Sequence, residues 1–146
     1  MMTEISLNVL DVSENSTRAG ASLVTILVTA DTSADKLTIV IADNGCGMTP
    51  EQAAHVTDPF FTTRTTRKVG LGIPFFKYAA ESTGGSFHIE SEPGKGTTVT
   101  AVFGLSHIDR MPLGDMNATI HNLIVYHPDT DFLYTYTYND ASFTLD

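Results

Sequence analysis

Sulfur chemistry is almost missing from this chain. A single cysteine, Cys46, among 146 residues excludes an internal disulfide and any cysteine-clustered metal site. A reducing compartment is its simplest setting. Basic residues are scarce as well: eight Lys and Arg stand against seventeen Asp and Glu, for a formal net charge of −9. That balance excludes general affinity for nucleic acid or for anionic membrane surfaces. No apolar run approaches the ~18 residues that a membrane span needs. The opening MMTEISLNVLDVSEN carries Glu4, Asp11 and Glu14 where a signal peptide needs basic residues and then an unbroken apolar stretch. A cytoplasmic protein without nucleic-acid or membrane partners is expected. Apolar residues at 42% against 17% charged exclude disorder as the overall state and supply a core.

Against this scarcity, one stretch stands out. Within VTDPFFTTRTTRKVGLGIPFFK, residues 56–77, three of the eight basic residues, Arg64, Arg67 and Lys68, fall within five positions beside Gly70 and Gly72. Leu71 to Thr83 reads as a helix with Leu71, Phe75, Tyr78, Ala79 and Ser82 on one face, and Pro74 is tolerable only in its first turn. Gly70 and Gly72 therefore sit at a helix start, where amides without intrahelical partners point outward and the dipole favours an anion. Cations on the approach suit phosphate, Arg by paired hydrogen bonds and Lys as a point charge. The plain alternative is a basic loop that keeps an acidic surface mixed.

The rest of the chain supplies a frame for that loop. Ile5, Val9, Val12, Ser16 and Ala19 recur at helical spacing from Thr3 to Gly20, with Glu4, Asn8, Asp11 and Asn15 as a polar stripe beside them. SLVTILVTA and KLTIVIAD, joined by DTSAD, read as neighbouring antiparallel strands. TPEQAAHV has the cap and first-turn proline of a short helix, and SFHIESE and TTVTAVFG form strands around PGKG. Strands bunched in pairs between helices favour an α+β fold, one mixed or antiparallel sheet with helices stacked on one face, over a doubly wound parallel sheet. Beyond residue 104, MNATIHNLIVYHP gives one more helix and DFLYTYTYNDASFTLD a hairpin about Asn139 and Asp140. This aromatic extension, 105–146, is expected to pack on the main body, 1–104, or on a second copy of the chain.

Two further motifs carry chemistry. DNGCGM, residues 43–48, ends a strand with an aspartate followed by Gly45 and Gly47, offering a fixed acceptor and close backbone approach; this suits the exocyclic amine of a purine, and also an ordinary turn. Asp11 and Asn15, four apart on one helix face, could orient a water and ligate Mg²⁺ through a carboxamide oxygen, or could simply be solvated, the reading given to Glu4, Asn8 and Glu14. His55, His88, His107, His121 and His127 show no convergent ligand spacing and read as structural or exposed. HPD at 127–129 resembles a co-chaperone tripeptide without its helical hairpin. Cys46 reads as a small filler between the pocket glycines.

Taken in order, the carboxylate and Asn of the first helix, DxGxG after a strand, DPFFTTR, GLGI at a helix start and PGKGTTV resemble the boxes of the histidine-kinase, gyrase, Hsp90 and mismatch-repair ATPase superfamily. The resemblance is strongest to the ATP-binding domain of bacterial sensor histidine kinases, here of a stand-alone type, while ENSTRAGAS is similar to the mismatch-repair branch. It implies the two-layer α/β sandwich known as the Bergerat fold, with ATP and Mg²⁺ as ligands. Asn15 would be the Mg²⁺ ligand and Asp43 the adenine acceptor, with Gly45, Gly47 and Met48 shaping the base pocket and Thr97 supporting adenine through a water. Phe60 and Phe61 would begin a short lid. Gly70, Leu71 and Gly72 would put amides on the phosphates, with Arg64, Arg67 and Lys68 facing the triphosphate. Asp11 stands where hydrolysing branches carry a glutamate base and sensor kinases usually an asparagine. Lys68 and Val69 replace the usual Gly and Thr. The implied activity is phosphoryl transfer to a partner protein or slow ATP hydrolysis, with Asp11 as the polarising residue. The alternatives are a nucleotide-gated protein-binding module without meaningful turnover, an anti-sigma-factor-like serine kinase, and a homodimerising member that binds nothing.

Overall fold

The computed structural model describes residues 5–49, 51, 72–106, 113–139 and 141–145. Most of TPEQAAHV, together with Phe60, Phe61, Arg64, Arg67, Lys68, Gly70 and Leu71, lies outside the described residues. The elements in chain order are α1 (Ile5–Arg18), β1 (Leu23–Asp31), β2 (Lys36–Asp43), α2 (Gly72–Glu81), β3 (Ser86–Glu92), β4 (Gly96–Gly104), α3 (Met116–Tyr126), β5 (Asp131–Tyr138) and β6 (Ala141–Leu145).

The first helix ends as its glycine foretells. Gly20 adopts φ +80°, and the Ala21 amide reaches back to the Ser16 carbonyl while the Gly20 amide meets that of Thr17. This is the paired closure of a Schellman-type cap, which needs a left-handed residue past the last turn. The buried face carries Ile5, Val9, Val12 and Ser16, the stripe expected from spacing. Asn8 is a correction: it is fully buried rather than solvated. It flanks the core-facing ridge, so spacing alone left its environment open.

β1 to β6 form one mixed sheet in the order β3-β4-β2-β1-β5-β6. The β1–β2, β2–β4, β3–β4 and β5–β6 pairs are antiparallel, and β5 lies parallel to β1 with Leu23 opposite Asp131. Alternation puts Val24, Ile26 and Val28 of β1, Leu37, Ile39 and Ile41 of β2, Val99, Ala101 and Phe103 of β4, and Phe132 and Tyr134 of β5 on the buried side. That pattern is what β-branched and aromatic residues at a period of two produce. α1, α2 and α3 share this side. α1 packs between α2 and α3, α2 covers β3 and β4, and α3 covers β5. The Asp115 carboxylate caps α3 by accepting from the Ala118 amide at 2.9 Å, satisfying one of the first-turn donors. The last hairpin turns at Asn139, which holds φ +53° as a two-residue turn demands. Its carboxamide oxygen accepts from the Thr32 amide across the sheet end.

Helix α2 corrects a second expectation. Ile73, Pro74, Phe76 and Ala80 are buried, whereas Phe75 is partly exposed and Tyr78 is 72% exposed. The helix is apolar on nearly every side, so two stripes one residue apart compete. Packing decides between them: Phe76 enters the core between Phe87 and Phe103, with ring centroids at 6.3 and 5.9 Å. Such aromatic contacts outweigh the small difference in intrinsic pattern.

Candidate functional site

The candidate site forms where α1 meets the end of β2. Asp43 is the last residue of β2, and the antiparallel register sets it directly opposite Thr97 of β4. Residues so paired project on one face with Cβ atoms about 5 Å apart. From the helix layer the Ser16 hydroxyl donates to Asp43 Oδ2 at 2.7 Å. The Gly45 amide donates to Asp43 Oδ1 at 2.8 Å. A carboxylate has about four acceptor positions. These two bonds fix the group's orientation and leave lone pairs for another donor.

Thr97 belongs to a hydroxyl relay. The Met48 amide donates to Ser91 Oγ at 2.7 Å, Ser91 Oγ reaches the Gly96 carbonyl at 3.0 Å, and Ser91 and Thr97 hydroxyls are 2.7 Å apart. Ser91 has one proton, and the carbonyl can only accept. With that proton on Gly96, Thr97 donates to Ser91 and keeps its lone pairs as acceptors beside Asp43.

The glycines around this corner are required by close backbone approach. A Cβ on Gly45 would press on the Ala19 side chain and carbonyl at 2.9 Å. Gly47 holds φ +71°, with the Glu92 carbonyl oxygen where a Cβ would stand, and Gly96 holds φ +127°, with the Asp43 carbonyl oxygen there. Cross-links from the Cys46 amide to the Ala19 carbonyl and from the Gly94 amide to the Cys46 carbonyl tie the loop to α1 and to the β3–β4 turn. Cys46 itself is exposed. The filler reading is therefore corrected: backbone contacts between the flanking glycines and their neighbours leave its side chain outside.

Asp11 and Asn15 lie on α1 on the N-terminal side of Ser16, both half-buried. Asn15 Oδ1 accepts from Arg18 Nη1 at 3.3 Å, a long contact that leaves a hard oxygen available. Burial, and then the neighbouring Glu14 carboxylate, push the Asp11 carboxyl above its usual range, opposed by Arg18. Glu14 turns the other way, 2.8 Å from His127 Nε2. Among the described residues no group of three His, Cys, Asp or Glu could hold a metal ion. A single protein oxygen such as Asn15 Oδ1 could hold Mg²⁺ only together with phosphates and waters. The structure thus gathers Asp43, Gly45, Gly47, Met48 and Thr97 at one corner and joins α1 to it through Ser16.

Sequence reasoning missed Ser16 and Ser91. A serine interrupting an otherwise apolar stripe was the available signal for the first. Ser91 becomes visible only once its register opposite Thr97 is known. Ser16→Ala is expected to weaken ATP binding about threefold to tenfold, as loss of one hydrogen bond to a charged acceptor implies. Equilibrium titration with a fluorescent nucleotide checks it.

A mixed sheet with helices on one side and an acidic strand end joined to the first helix is the architecture of a Bergerat-type ATPase fold. In solved structures the chain matches the N-terminal domain of a DNA repair protein with TM-score 0.69 at 13% identity, over 98% of this chain and 52% of that one. It also matches full-length ShkA in complex with AMPPNP with TM-score 0.55 at 21% identity, over 66% and 20%. Residues 1–107 match the family model of histidine kinase-, DNA gyrase B-, and HSP90-like ATPases, and the chain belongs to that family. Membership supports ATP binding. The sensor protein SrrB of Staphylococcus aureus is 33% identical over 102 residues, which are 66% of this chain and 17% of SrrB. The chain therefore corresponds to about a sixth of that relative's length. No helix among the described residues is long and apolar enough to cross a membrane.

Proposed function

We propose that residues 1–104 form a cytoplasmic Mg·ATP-binding unit that transfers the γ-phosphoryl group to a partner protein or, slowly, to water, and that residues 105–146 extend its sheet. The observation that carries this reading is Asp43, oriented by Ser16 and Gly45 and facing Thr97. A fixed carboxylate beside a hydroxyl acceptor suits adenine, whose exocyclic amine donates to the former and can reach the latter through a water. Gly45, Gly47 and the Met48 segment would wall the base.

From Asn15 back to Asn8, α1 runs away from Asp43, so Asn15 would meet the phosphates and their Mg²⁺, and Asp11 the reacting oxygen. Bound Mg²⁺ supplies charge neutralisation of the phosphates. Asp11, held less acidic than usual by burial, is a stronger base when ionised and would accept the proton of the attacking hydroxyl or water. Arg64, Arg67, Lys68 and the amides of Gly70, Leu71 and Gly72 would hold the triphosphate, with Phe60 and Phe61 opening the lid. Phosphoryl transfer depends mainly on such positioning and charge stabilisation.

Incubating the protein with γ-labelled ATP, with and without lysate from its source, tests the reading. Label on a lysate protein or in free phosphate is expected. Tight ATP binding with all label left on ATP would instead support a nucleotide-gated binding module.

A further inference from the structure

The polar group that the nucleotide reading leaves unexplained is Asn8. It is fully buried, and neither its carboxamide nitrogen nor its oxygen has a hydrogen-bond partner. Burying both halves of a carboxamide unpaired is destabilising, and a leucine of similar volume would avoid that penalty. Such a residue persists where its bonds are made to something else.

Its position says where. At 100° per residue, Asn8, Asp11 and Asn15 fall within an arc of about 60° on α1. The opposite margin of the helix is taken by the α3 side: the Ser6 amide donates to the Leu113 carbonyl, the Thr119 hydroxyl to the Ser6 carbonyl, and Glu14 meets His127. Ser13, the other buried residue without a side-chain partner among the described residues, lies by phase on that margin. Asn8 therefore borders the flank that carries Asp11 and Asn15. Along the axis, Ser16 marks the Asp43 end, and Asn8 lies about 4.5 Å beyond Asp11 in the other direction. It stands on the far side of Asp11 from the base pocket, where an acceptor oxygen must approach.

We propose that Asn8 is a positioning residue whose carboxamide holds the attacking water against Asp11. A water matches an unpaired carboxamide because it offers an O–H to Oδ1 and a lone pair to Nδ2, whereas a phosphate oxygen serves only the nitrogen. This rests on the nucleotide reading above. In the step it serves, the water oxygen forms a bond to the γ-phosphorus, and the bond from that phosphorus to the bridging oxygen breaks. ADP leaves with that electron pair, and the water's proton passes to the Asp11 carboxylate. Holding the water in line converts an encounter into a pre-positioned reaction.

The test compares wild type, Asn8→Leu and Asn8→Ser in the full chain for ATP affinity by calorimetry, steady-state phosphate release, and thermal unfolding. Asn8→Leu is expected to lower kcat about tenfold or more, to leave ATP affinity within about twofold, and to keep or raise the unfolding midpoint. Asn8→Ser, which keeps a smaller donor and acceptor, should fold and lie between the two in kcat. It decides the matter if the leucine variant does not fold. Unchanged kcat, or a loss of kcat that only follows a fall in affinity or stability, would overturn the proposal and leave Asn8 bound to a structural water. A wild-type protein that binds ATP but releases no phosphate overturns it while the binding reading stands. A wild-type protein that binds no ATP removes that reading itself.

Discussion

Asp11→Asn should reduce phosphate release or transfer about a hundredfold while changing ATP affinity by no more than about twofold. The magnitude is that of a lost general base, and the selectivity follows from the position of Asp11, on α1 well away from the Ser16–Asp43 contact. The same substitution carries a signature in stability. The folded protein raises the Asp11 carboxyl above its ordinary value of 3.8, chiefly by burial, so folding favours the protonated form. The stability this group contributes is full below its unfolded pKa and is lost as pH rises through the folded one. Near neutral pH the ionised carboxylate is thus a liability, and asparagine should raise the thermal midpoint there. Near pH 3 the gain should vanish. Thermal melts of both proteins across that range, beside a phosphate-release assay, check both halves. A variant less stable at pH 7 and equally active would separate Asp11 from both roles.

Gly96→Ala should destabilise the fold by about 2–4 kcal/mol and lower the thermal midpoint by roughly 10 °C. Two causes act together. Gly96 sits at φ +127°, and an added Cβ would meet the Asp43 carbonyl oxygen and the Asn44 Cα. Neither neighbour is a flexible side-chain end, so the β2 terminus itself must move. Because that terminus carries the Asp43 carboxylate, ATP affinity should fall along with stability. Gly94→Ala provides the control: its left-handed φ of +81° has open space around the Cβ position, so strain alone should cost less and leave affinity intact. Chemical denaturation and nucleotide titration of the two variants separate the effects.

How much of the fold and of the site shows in the sequence follows from the range of the interactions involved. The four strands of the main body were readable because Val, Ile and Thr alternate over two well-marked turns, and the end of α1 because only glycine fits comfortably past its last turn. The acidic strand end with its glycines was visible as a motif, since close backbone approach leaves a trace in residue type. What failed depended on neighbours distant in sequence. The face of α2 was set by Phe87 and Phe103, not by its own near-uniform apolar pattern. Asn8 looked like one member of a solvated stripe, and its burial depends on tertiary packing that the spacing within α1 does not specify. The relay from Met48 through Ser91 to Thr97 joins three segments, and no spacing within any one of them predicts it. Likewise, the parallel seating of β5 on β1 arises from a crossover through α3 that returns the chain to the sheet's other side.

The proposed nucleotide pocket depends on Asp43 as its adenine-reading group. Calorimetric titration of Mg·ATP into wild type and into Asp43→Asn measures it most directly, with circular dichroism to confirm that both are folded. Saturable one-to-one binding that weakens about tenfold to a hundredfold in the variant is expected, since asparagine replaces a charged acceptor and turns a donor toward the amine. Equal affinity in two equally folded proteins would contradict a nucleotide pocket at this strand end.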